Sequence, residues 1–322
     1  MTVTESAAKA RRKIAVVTPV FNEEACVEHF YVRCSKVADA LKDRYEVELV
    51  FVNNASRDRT LDLILSLHRR DKRVKLITHS RNFGYQASVL SGLTHVSADA
   101  MVIIDVDCED PPEMITDFVR HWEEGYDIVY GLRASRPEFF LLIWVRKVFY
   151  RLTRLIADWE FVLDMAEFSL VTDRVRQEVL RNRSTFPFVR SDFGYVGFRR
   201  RGIPYRRETR AFGKTHYSLV RMTQFAVGGM LTASTFPLRF VFYLALPLIF
   251  IDVVGVLGSI FSHPLPQDAL LNTNLVFLVG AVATIAIYVS RIYRDSASRP
   301  IFIVDHQNSI LPDRAADQGS AS

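Results

Sequence analysis

The sequence predicts an α/β domain with a Rossmann-like, mainly parallel sheet, followed by interfacial helices and a two-helix transmembrane hairpin. Three observations favour this fold class. Short runs rich in β-branched residues alternate with helical patterns as far as residue 133, as in sheets with helical crossovers. A segment that is both apolar and basic occupies residues 139–159. Two long apolar runs follow, each near the roughly 20 residues that span a bilayer.

The predicted elements of the first half follow in order along the chain. The predicted strands are 13–21, 47–56, 74–80, 100–107 and 127–133, and the predicted helices are 23–43, 58–70, 84–94 and 112–124. Ligands bind beyond the carboxyl ends of such strands, so the polar residues there are candidate site residues. They are Asn22, Glu23, Asn53, Asn54, Arg81, Asn82, Asp105, Asp107 and Arg133.

Residues 139–159 combine a broad apolar face with four basic residues. Two interpretations stay open: a helix that faces the core, or a helix that lies in a membrane interface with its basic side chains at the headgroups. We expect a juxtamembrane amphipathic helix at 215–235.

The two apolar runs predict transmembrane helices at about 238–261 and 269–290, with a helical hairpin buried in a soluble protein as the alternative. The link between them has no Lys or Arg, whereas three arginines follow the second run, at 291, 294 and 299. By the positive-inside rule, we expect a multi-pass protein of the inner (cytoplasmic) membrane with its large N-terminal domain and both termini, 1–12 and 291–322, in the cytoplasm. Asp252 interrupts the first run and is expected to face a polar neighbour.

Composition limits the partners and the compartment. The 322 residues carry a net charge of +5, and the pI is about 9.1. A basic balance permits nucleic acid, anionic lipid or phosphorylated substrates as partners. The positive charge lies beside apolar segments, which favours membrane lipids and argues against nucleic acid. The three cysteines lack metal-ligand or disulfide spacing and suit a reducing compartment, and the polar N-terminus predicts no signal peptide.

The stretch VIIDVDCEDPPEM, residues 102–114, places five carboxylates directly after an apolar run. Asp105 and Asp107 form a D-x-D pattern that can reach one divalent cation. Hard oxygen ligands suit Mg²⁺ or Mn²⁺, which in turn bind diphosphate. A solvated acidic turn is the alternative. We expect Asp110 to cap the next helix and Glu113 to stabilise its first turn.

Several motifs occur in a characteristic order: VVTPVFNEE, FVNNASRDRT, RNFGYQASVLSGL, IIDVDCEDPPE and YGLR. Together they resemble family 2 glycosyltransferases with the GT-A fold. The closer resemblance is to the polyprenyl-phosphate glycosyltransferases, the group that contains dolichol-phosphate mannose synthase and bactoprenol glucosyltransferase. Later segments, among them AEFSLVTDRV and YVSRIYRDSASRPIFIV, agree with that group. The resemblance covers roughly residues 13–305, and it implies a GT-A domain at 13–214.

The resemblance implies a hexosyltransferase-type enzyme. It would transfer a sugar, with inversion, from a nucleotide-diphosphate sugar, expected to be a UDP-sugar, to a polyprenyl monophosphate, expected to be undecaprenyl phosphate. The product would serve cell-envelope glycan or lipid modification, and the implied cofactor is Mg²⁺ or Mn²⁺. A catalytically inactive membrane scaffold and a polysaccharide synthase are the alternatives, and a homo-oligomer stays open.

Site residues carry over from the resemblance position by position. The nucleotide-sugar residues are Pro19, Phe21, Asn22, Glu23, Asn53, Asn54, Asp58, Arg81, Asn82, Gly84 and Asp105. The metal ligands are Asp105, Asp107 and Glu109, and the catalytic residues are Asp107, Arg133 and Glu167. The lipid-phosphate residues are Arg133, Arg207, Arg210 and Lys214. Turn chemistry is the alternative for Asn82 and Gly84.

Two departures from the family pattern stand out. Asn53 and Asn54 occupy a position where the family has Asp-Asp or Asn-Asp. Glu167 replaces a family Asp near the reaction centre, which moves the carboxylate by about one methylene.

Overall fold

The computed structural model describes residues 11–133, 165–182, 184, 187–209, 234–260 and 266–312. The strands are β1 (Arg12–Val20), β2 (Tyr45–Asn53), β3 (Val74–Thr78), β4 (Ala100–Ile103), β5 (Ile128–Arg133), β6 (Met165–Thr172) and β7 (Arg200–Tyr205). The helices are α1 (Val27–Leu41), α2 (Thr60–Arg70), α3 (Tyr85–His95), α4 (Ile115–Glu123), α5 (Asp173–Leu180), α6 (Val189–Tyr195), α7 (Phe236–Ile260) and α8 (Gln267–Ser296). Short 3-10 turns lie at Pro112–Met114 and His306–Asn308.

The seven strands form one mixed sheet in the order β3-β2-β1-β4-β6-β5-β7. Strands β1 to β4 pair in parallel, and β7 is parallel to β5, so the mainly parallel sheet is confirmed. Strand β6 runs antiparallel to both β4 and β5. The sequence patterns predicted neither β6 nor β7. The reversal of β6 brings its first residues, including Glu167, to the edge where β4 and β5 end.

Helices cover both faces of the sheet because the central strands are apolar on both sides, as in doubly wound folds. One core layer packs α1, α2 and α4 against the sheet through buried side chains that include Phe30, Ile64 and Phe118. The opposite layer uses α3, α5 and α6, with Val89 and Val175 among its members. The sheet is therefore packed on both faces, and the candidate site residues lie in loops at its carboxyl edge.

Several predicted elements differ in their bounds, and two of the differences matter for the site. Helix α1 begins at Val27 rather than at residue 23, because Asn22 has a φ of 55° and the chain forms a turn before the helix. Strand β4 ends at Ile103 rather than at 107. The N–H of Ile104 still donates to Val17 O at 3.1 Å, and the chain then leaves the sheet. Both changes lengthen the loops that carry the candidate site residues.

The two C-terminal apolar helices are present, and by length and composition each could cross a membrane. Most of their large apolar side chains are exposed, as expected for a lipid-facing surface. Asn274 of α8 donates to both carboxylate oxygens of Asp252 in α7, at 2.9 and 3.0 Å. Asp252 therefore faces a polar neighbour, as predicted. The predicted interfacial helix at 139–159 lies outside the described residues, as does all but the end of the predicted helix at 215–235.

Candidate active site

The D-x-D motif lies in the loop that follows β4. Tyr85, the first residue of α3, donates its hydroxyl hydrogen to Asp105 Oδ1 at 2.7 Å. Burial raises the pKa of Asp105 to about 7. The hydrogen bond from Tyr85 opposes that rise, and the charge of Asp107 adds to it. A carboxylate that is this costly to ionise gains stability from a nearby cation.

Asp107 and Glu109 differ in what their carboxylates contact. Asp107 Oδ1 accepts a hydrogen bond from the Glu109 N–H at 3.1 Å, in a turn where Cys108 has a φ of 55°. The Glu109 carboxylate forms a 2.6 Å ion pair with Arg207. Within the part of the chain that the structure describes, no three or more His, Cys, Asp or Glu side chains converge in a geometry that could hold a metal.

The donor set still fits a divalent cation. Asp105 and Asp107 supply hard carboxylate oxygens, and Mg²⁺ in proteins is commonly held by one or two carboxylates together with substrate phosphates. Glu109, which pairs with Arg207, would be the third ligand. Its metal role stays a prediction.

Asp110 contacts Tyr205, Arg133 and Arg207 rather than capping a helix. Its carboxylate is buried, with 1% of the side chain exposed. It accepts a hydrogen bond from the Tyr205 hydroxyl and lies 3.4 Å from Arg133 and 3.6 Å from Arg207. The residue before the 3-10 turn is Pro111, and no side chain caps the turn. The cap prediction is wrong because two arginines and a tyrosine from distant segments attract the carboxylate inward.

Arg133 closes β5, and its side chain is 42% exposed. Burial is the largest single effect and would lower the pKa of its guanidinium, but the charge of Asp110, the hydrogen bond to Tyr205 and the charge of Asp105 together hold that pKa above its ordinary value. The Arg133 Nε–H also donates to the Tyr205 hydroxyl at 3.3 Å. Arg133 is thus a fixed positive charge next to the D-x-D loop, available to an anionic ligand.

Glu167 lies near the start of β6 and contacts two residues that the sequence reasoning missed. Gln86 of α3 donates to Glu167 Oε1 at 3.3 Å, and Arg190 of α6 lies 3.9 Å from the same oxygen. Burial raises the pKa of Glu167, although the charge of Arg190 opposes the rise. Gln86 lies in the motif RNFGYQASVLSGL and Arg190 lies in the later segment FVRSDFGYVGF, but only the fold shows that both meet Glu167.

The loops after β1 and β2 are joined by hydrogen bonds. Asn22 Oδ1 accepts from the Arg57 N–H at 2.8 Å, and the Asn22 N–H donates to Ser56 Oγ at 3.0 Å. The Glu23 N–H donates to Thr60 Oγ1, and Asp58 Oδ1 accepts from the Thr60 N–H. Asn22 and Glu23 therefore lie at one edge of the sheet, as predicted from the strand ends, and Asp58, which the resemblance assigned, lies beside them.

Asn53 and Asn54 point into the protein, with 1% and 4% of each residue exposed. Asn53 Oδ1 accepts from the Ser56 N–H at 3.0 Å, and Asn54 Oδ1 accepts from the Phe83 N–H at 2.9 Å. These amide oxygens hold loops together rather than facing solvent. Direct contact between these two residues and a nucleobase stays a prediction.

The remaining predicted nucleotide residues border the same edge. Gly84 has a φ of 94°, which favours glycine, and its N–H donates to Asn82 Oδ1 at 2.9 Å. The Arg81 guanidinium lies 4.1 Å from the centre of the Phe83 ring. Pro19 is buried at the end of β1, whereas Phe21 is 40% exposed. Asn82 and Gly84 thus perform turn chemistry, and a role at the donor stays compatible with it.

Sequence comparison identifies the family of the chain. The model described as Glycosyl transferase family 2 matches residues 15–187. The chain belongs to glycosyl transferase family 2. It is 33% identical over 308 residues to the uncharacterized glycosyltransferase YkcC of Bacillus subtilis (strain 168), and the alignment covers 92% of this chain and 94% of that protein. It is 30% identical over 312 residues to the bactoprenol glucosyl transferase of Shigella phage SfV, covering 92% of this chain and 99% of that protein.

Solved structures include distant matches to this family 2 glycosyltransferase. The mannosyltransferase PcManGT from Pyrobaculum calidifontis, in complex with GDP-Man and Mn²⁺, aligns with a TM-score of 0.46 at 18% identity over 88% of each chain. The family match and the mixed sheet confirm the predicted GT-A type of fold and a glycosyltransferase activity. Two predicted lipid-phosphate residues of this enzyme, Arg210 and Lys214, lie outside the described residues.

Proposed function

We propose that this glycosyltransferase moves a sugar from a nucleotide-diphosphate sugar, a UDP-sugar, onto undecaprenyl phosphate at the cytoplasmic face of the membrane, for cell-envelope glycan or lipid modification. The observation that carries the proposal is the pairing of an acidic loop, Asp105 and Asp107, with an adjacent cation, Arg133, held by the buried Asp110. The acidic loop suits a metal-bound diphosphate, and Arg133 suits the phosphate of a second substrate. The identity to bactoprenol glucosyl transferases supports this acceptor.

The donor side would hold the cation. Asp105 and Asp107 would bind Mg²⁺ or Mn²⁺, which supplies charge neutralisation for the departing diphosphate. Tyr85 keeps Asp105 oriented through its 2.7 Å hydrogen bond. Glu109, which pairs with Arg207, would be a third ligand.

The acceptor side uses positive charge rather than a general base. A phosphate monoester is mostly dianionic at neutral pH, so its oxygen is already a nucleophile. That oxygen forms the new bond to the anomeric carbon, the bond from the anomeric carbon to the diphosphate oxygen breaks, and the nucleoside diphosphate leaves with the electron pair. Direct attack inverts the anomeric centre. Arg133 and Arg207, together with Arg210 and Lys214, would bind the lipid phosphate and reduce repulsion between the two anions.

Membrane attachment would bring the two substrates together. Helices α7 and α8 are long and apolar enough to cross a bilayer, and arginines follow the second apolar run. We therefore propose a hairpin with the catalytic domain and both termini in the cytoplasm. A lipid acceptor presents its phosphate at the headgroup plane, where a domain anchored in this way can reach it.

Asp107→Asn tests the proposal. The detergent-purified protein is incubated with a panel of nucleotide sugars, Mg²⁺ or Mn²⁺ and undecaprenyl phosphate, and glycolipid is measured. We expect kcat/KM to fall ~100-fold or more, because a neutral amide binds the cation far more weakly than a carboxylate. Asp117→Asn, on the exposed surface of α4, is the matched control and should keep wild-type activity.

The acceptor has its own control. Undecaprenol lacks the phosphate and should give no product, because its hydroxyl is protonated at neutral pH. Absence of glycolipid with every donor, or full activity of Asp107→Asn, would overturn the proposed function.

A further inference from the structure

The segment after α8 returns to the catalytic sheet. Residues 299–312, called the C-terminal segment below, run along the outer edge of β3. Leu76 and Ile310 exchange two backbone hydrogen bonds, at 2.8 and 2.7 Å. The Asp305 N–H donates to Thr78 O at 2.7 Å. The C-terminal segment thus covers β3, the strand whose end leads into the predicted nucleotide loop.

The contact extends beyond the end of β3. His79 forms an isolated bridge with Val304, and the Ser80 N–H donates to Ile303 O at 2.9 Å. On the other side, the His79 N–H donates to Asn53 O at 2.9 Å. Residues directly before Arg81 are therefore held between β2 and the C-terminal segment.

The side chain of Phe302 extends the contact from the backbone to the buried side chain of His79. Its ring stacks on the His79 imidazole, with 5.6 Å between ring centres and an angle of 11° between planes. The edge of the same imidazole packs against Phe83, at 5.7 Å and 86°. Only 1% of His79 is exposed, so the two phenyl rings fix the orientation of the imidazole.

That orientation determines a hydrogen bond. His79 Nδ1 lies 3.2 Å from Asn54 Oδ1. An amide oxygen only accepts, so Nδ1 carries the hydrogen and donates it. Burial lowers the pKa of His79 to about 4, with His95 adding to the effect. The ring is therefore neutral at physiological pH.

Asn54 is the junction of two loops. Its Oδ1 accepts from His79 and from the Phe83 N–H, and its Nδ2 donates to Asn82 Oδ1 at 3.0 Å. The Asn54 N–H donates to Val20 O at 2.9 Å. Both loops, 53–56 and 80–84, contain predicted nucleotide residues. A change in the His79 orientation would loosen the two loops together.

We propose that the C-terminal segment positions the nucleotide pocket: Phe302 orients His79, and His79 holds Asn54 so that loops 53–56 and 80–84 are preorganised for the donor nucleotide. Phe302 and His79 are positioning residues, since they act through Asn54. Three residues, 297–299, lie between the end of α8 and Pro300. The C-terminal segment, which contacts the nucleotide loops, therefore follows the apolar hairpin closely along the chain. The inference rests on the proposed function for the identity of the ligand.

Phe302→Leu tests the inference because it removes the aromatic stack but keeps an apolar side chain. Binding of UDP and of GDP with Mn²⁺ is measured calorimetrically on the full chain in detergent, without lipid acceptor. We expect the Kd of the nucleotide that binds wild type to rise ~10-fold, as preorganisation is lost. The donor KM should rise similarly, with kcat within twofold of wild type. Phe302→Tyr should restore tight binding.

The matched control is Ile303→Ala, in the same segment, whose side chain is 50% exposed. It should bind nucleotide like wild type. A second pair covers the case in which Phe302→Leu fails to fold. His79→Asn keeps an N–H donor near the position of Nδ1 and should bind more tightly than His79→Leu, which lacks it. Equal nucleotide affinity in Phe302→Leu and wild type, or in the two His79 variants, would overturn the inference.

The acceptor-free readout separates this inference from the proposed function. Weaker nucleotide binding in Phe302→Leu, with no glycolipid formed from any polyprenyl phosphate, supports the positioning role and overturns the acceptor. Wild-type glycolipid synthesis with unchanged nucleotide affinity in Phe302→Leu supports the function and overturns the positioning role. A wild-type protein that binds neither UDP nor GDP contradicts both.

Discussion

At the scale of single residues, the sequence predicted which residues lie at the carboxyl edge of the sheet, but it did not predict the directions in which their side chains point. The D-x-D carboxylates, Arg133 and Glu167 lie at one edge of the sheet, as the motifs indicated. The direction of Asp110 was not predictable, because its partners, Tyr205 and Arg133, come from strands far away in sequence. Local patterns contain no information about such partners.

Glu167→Gln is the residue-scale prediction. The carboxylate lies between Gln86 and Arg190, and its loss should free both side chains and lower kcat ~10- to 100-fold, as small misplacements do. Burial raises the pKa of Glu167, so wild-type activity should fall as the pH drops into the mildly acidic range and the group gains a proton. Glu167→Gln should lack that part of the pH profile.

The control for this variant is Glu178→Gln on α5, whose carboxylate pairs with Arg181 on the surface. Initial rates across pH 5 to 8 compare the three proteins. A Glu167→Gln enzyme with wild-type kcat and an unchanged pH profile would show that the carboxylate does not act in the reaction.

At the scale of elements, the alternating patterns predicted five strands and the helices between them, but missed β6 and β7. The direction of a strand within the sheet was harder to predict than the presence of the strand. Strand β6 is an eight-residue, mostly buried run, and nothing in its sequence distinguishes parallel from antiparallel pairing. Pairing with β4 and β5 sets the antiparallel direction of β6, and this direction brings Glu167 to the carboxyl edge of the sheet.

Arg33→Met is the element-scale prediction. Arg33 of α1 donates to the Glu113 carboxylate at 2.9 and 2.5 Å and to Glu208 at 2.9 and 3.1 Å. It thereby joins the end of the D-x-D loop to the residue after Arg207. The Glu208 N–H also donates to Glu109 O at 2.8 Å. Loss of Arg33 should let the two segments separate and raise the acceptor KM ~3- to 10-fold, as the loss of a partly buried charge network does.

Arg70→Met is the matched control for Arg33→Met. Arg70 pairs with Glu28 on the surface, with both side chains 58% exposed, and such pairs contribute only about 0–1 kcal/mol. Acceptor titrations at saturating donor measure both variants. If Arg33→Met and Arg70→Met have the same acceptor KM, the network has no role in acceptor binding.

At the scale of the whole molecule, the chain leaves the catalytic sheet after β7, forms the apolar hairpin and returns to cover β3. Apolar run length alone predicted the hairpin. The return was not predicted, since the C-terminal segment contributes only isolated bridges rather than a strand. Its backbone hydrogen bonds depend on an open sheet edge that exists only in the folded domain.

Asn274→Leu is the prediction at this scale. The side-chain amide of Asn274 donates hydrogen bonds to both carboxylate oxygens of Asp252 on the neighbouring helix. Removing it leaves a carboxylate without that donor among apolar side chains, so hairpin stability should fall by about 0.5–2 kcal/mol. The double variant Asp252→Leu/Asn274→Leu should recover stability. Unfolding by increasing SDS in mixed micelles provides the measurement.

The control is Asn272→Leu, the same substitution at an exposed position two residues earlier. It should leave stability nearly unchanged. A double variant less stable than Asn274→Leu alone would show that the Asp252–Asn274 pair does not hold the two helices together.

The sequence by itself determined the class of this protein: an α/β domain of the GT-A type, a D-x-D loop after the fourth strand and two apolar helices near the C-terminus. These features depend on local periodicity, on motif order and on run length, all of which are written along the chain. The tertiary structure alone decided that Asp110 turns inward, that β6 runs backward and that Phe302 reaches His79. Each of those outcomes depends on hydrogen bonds, charges and stacked rings between residues distant in sequence, which form only when the sheet has been assembled.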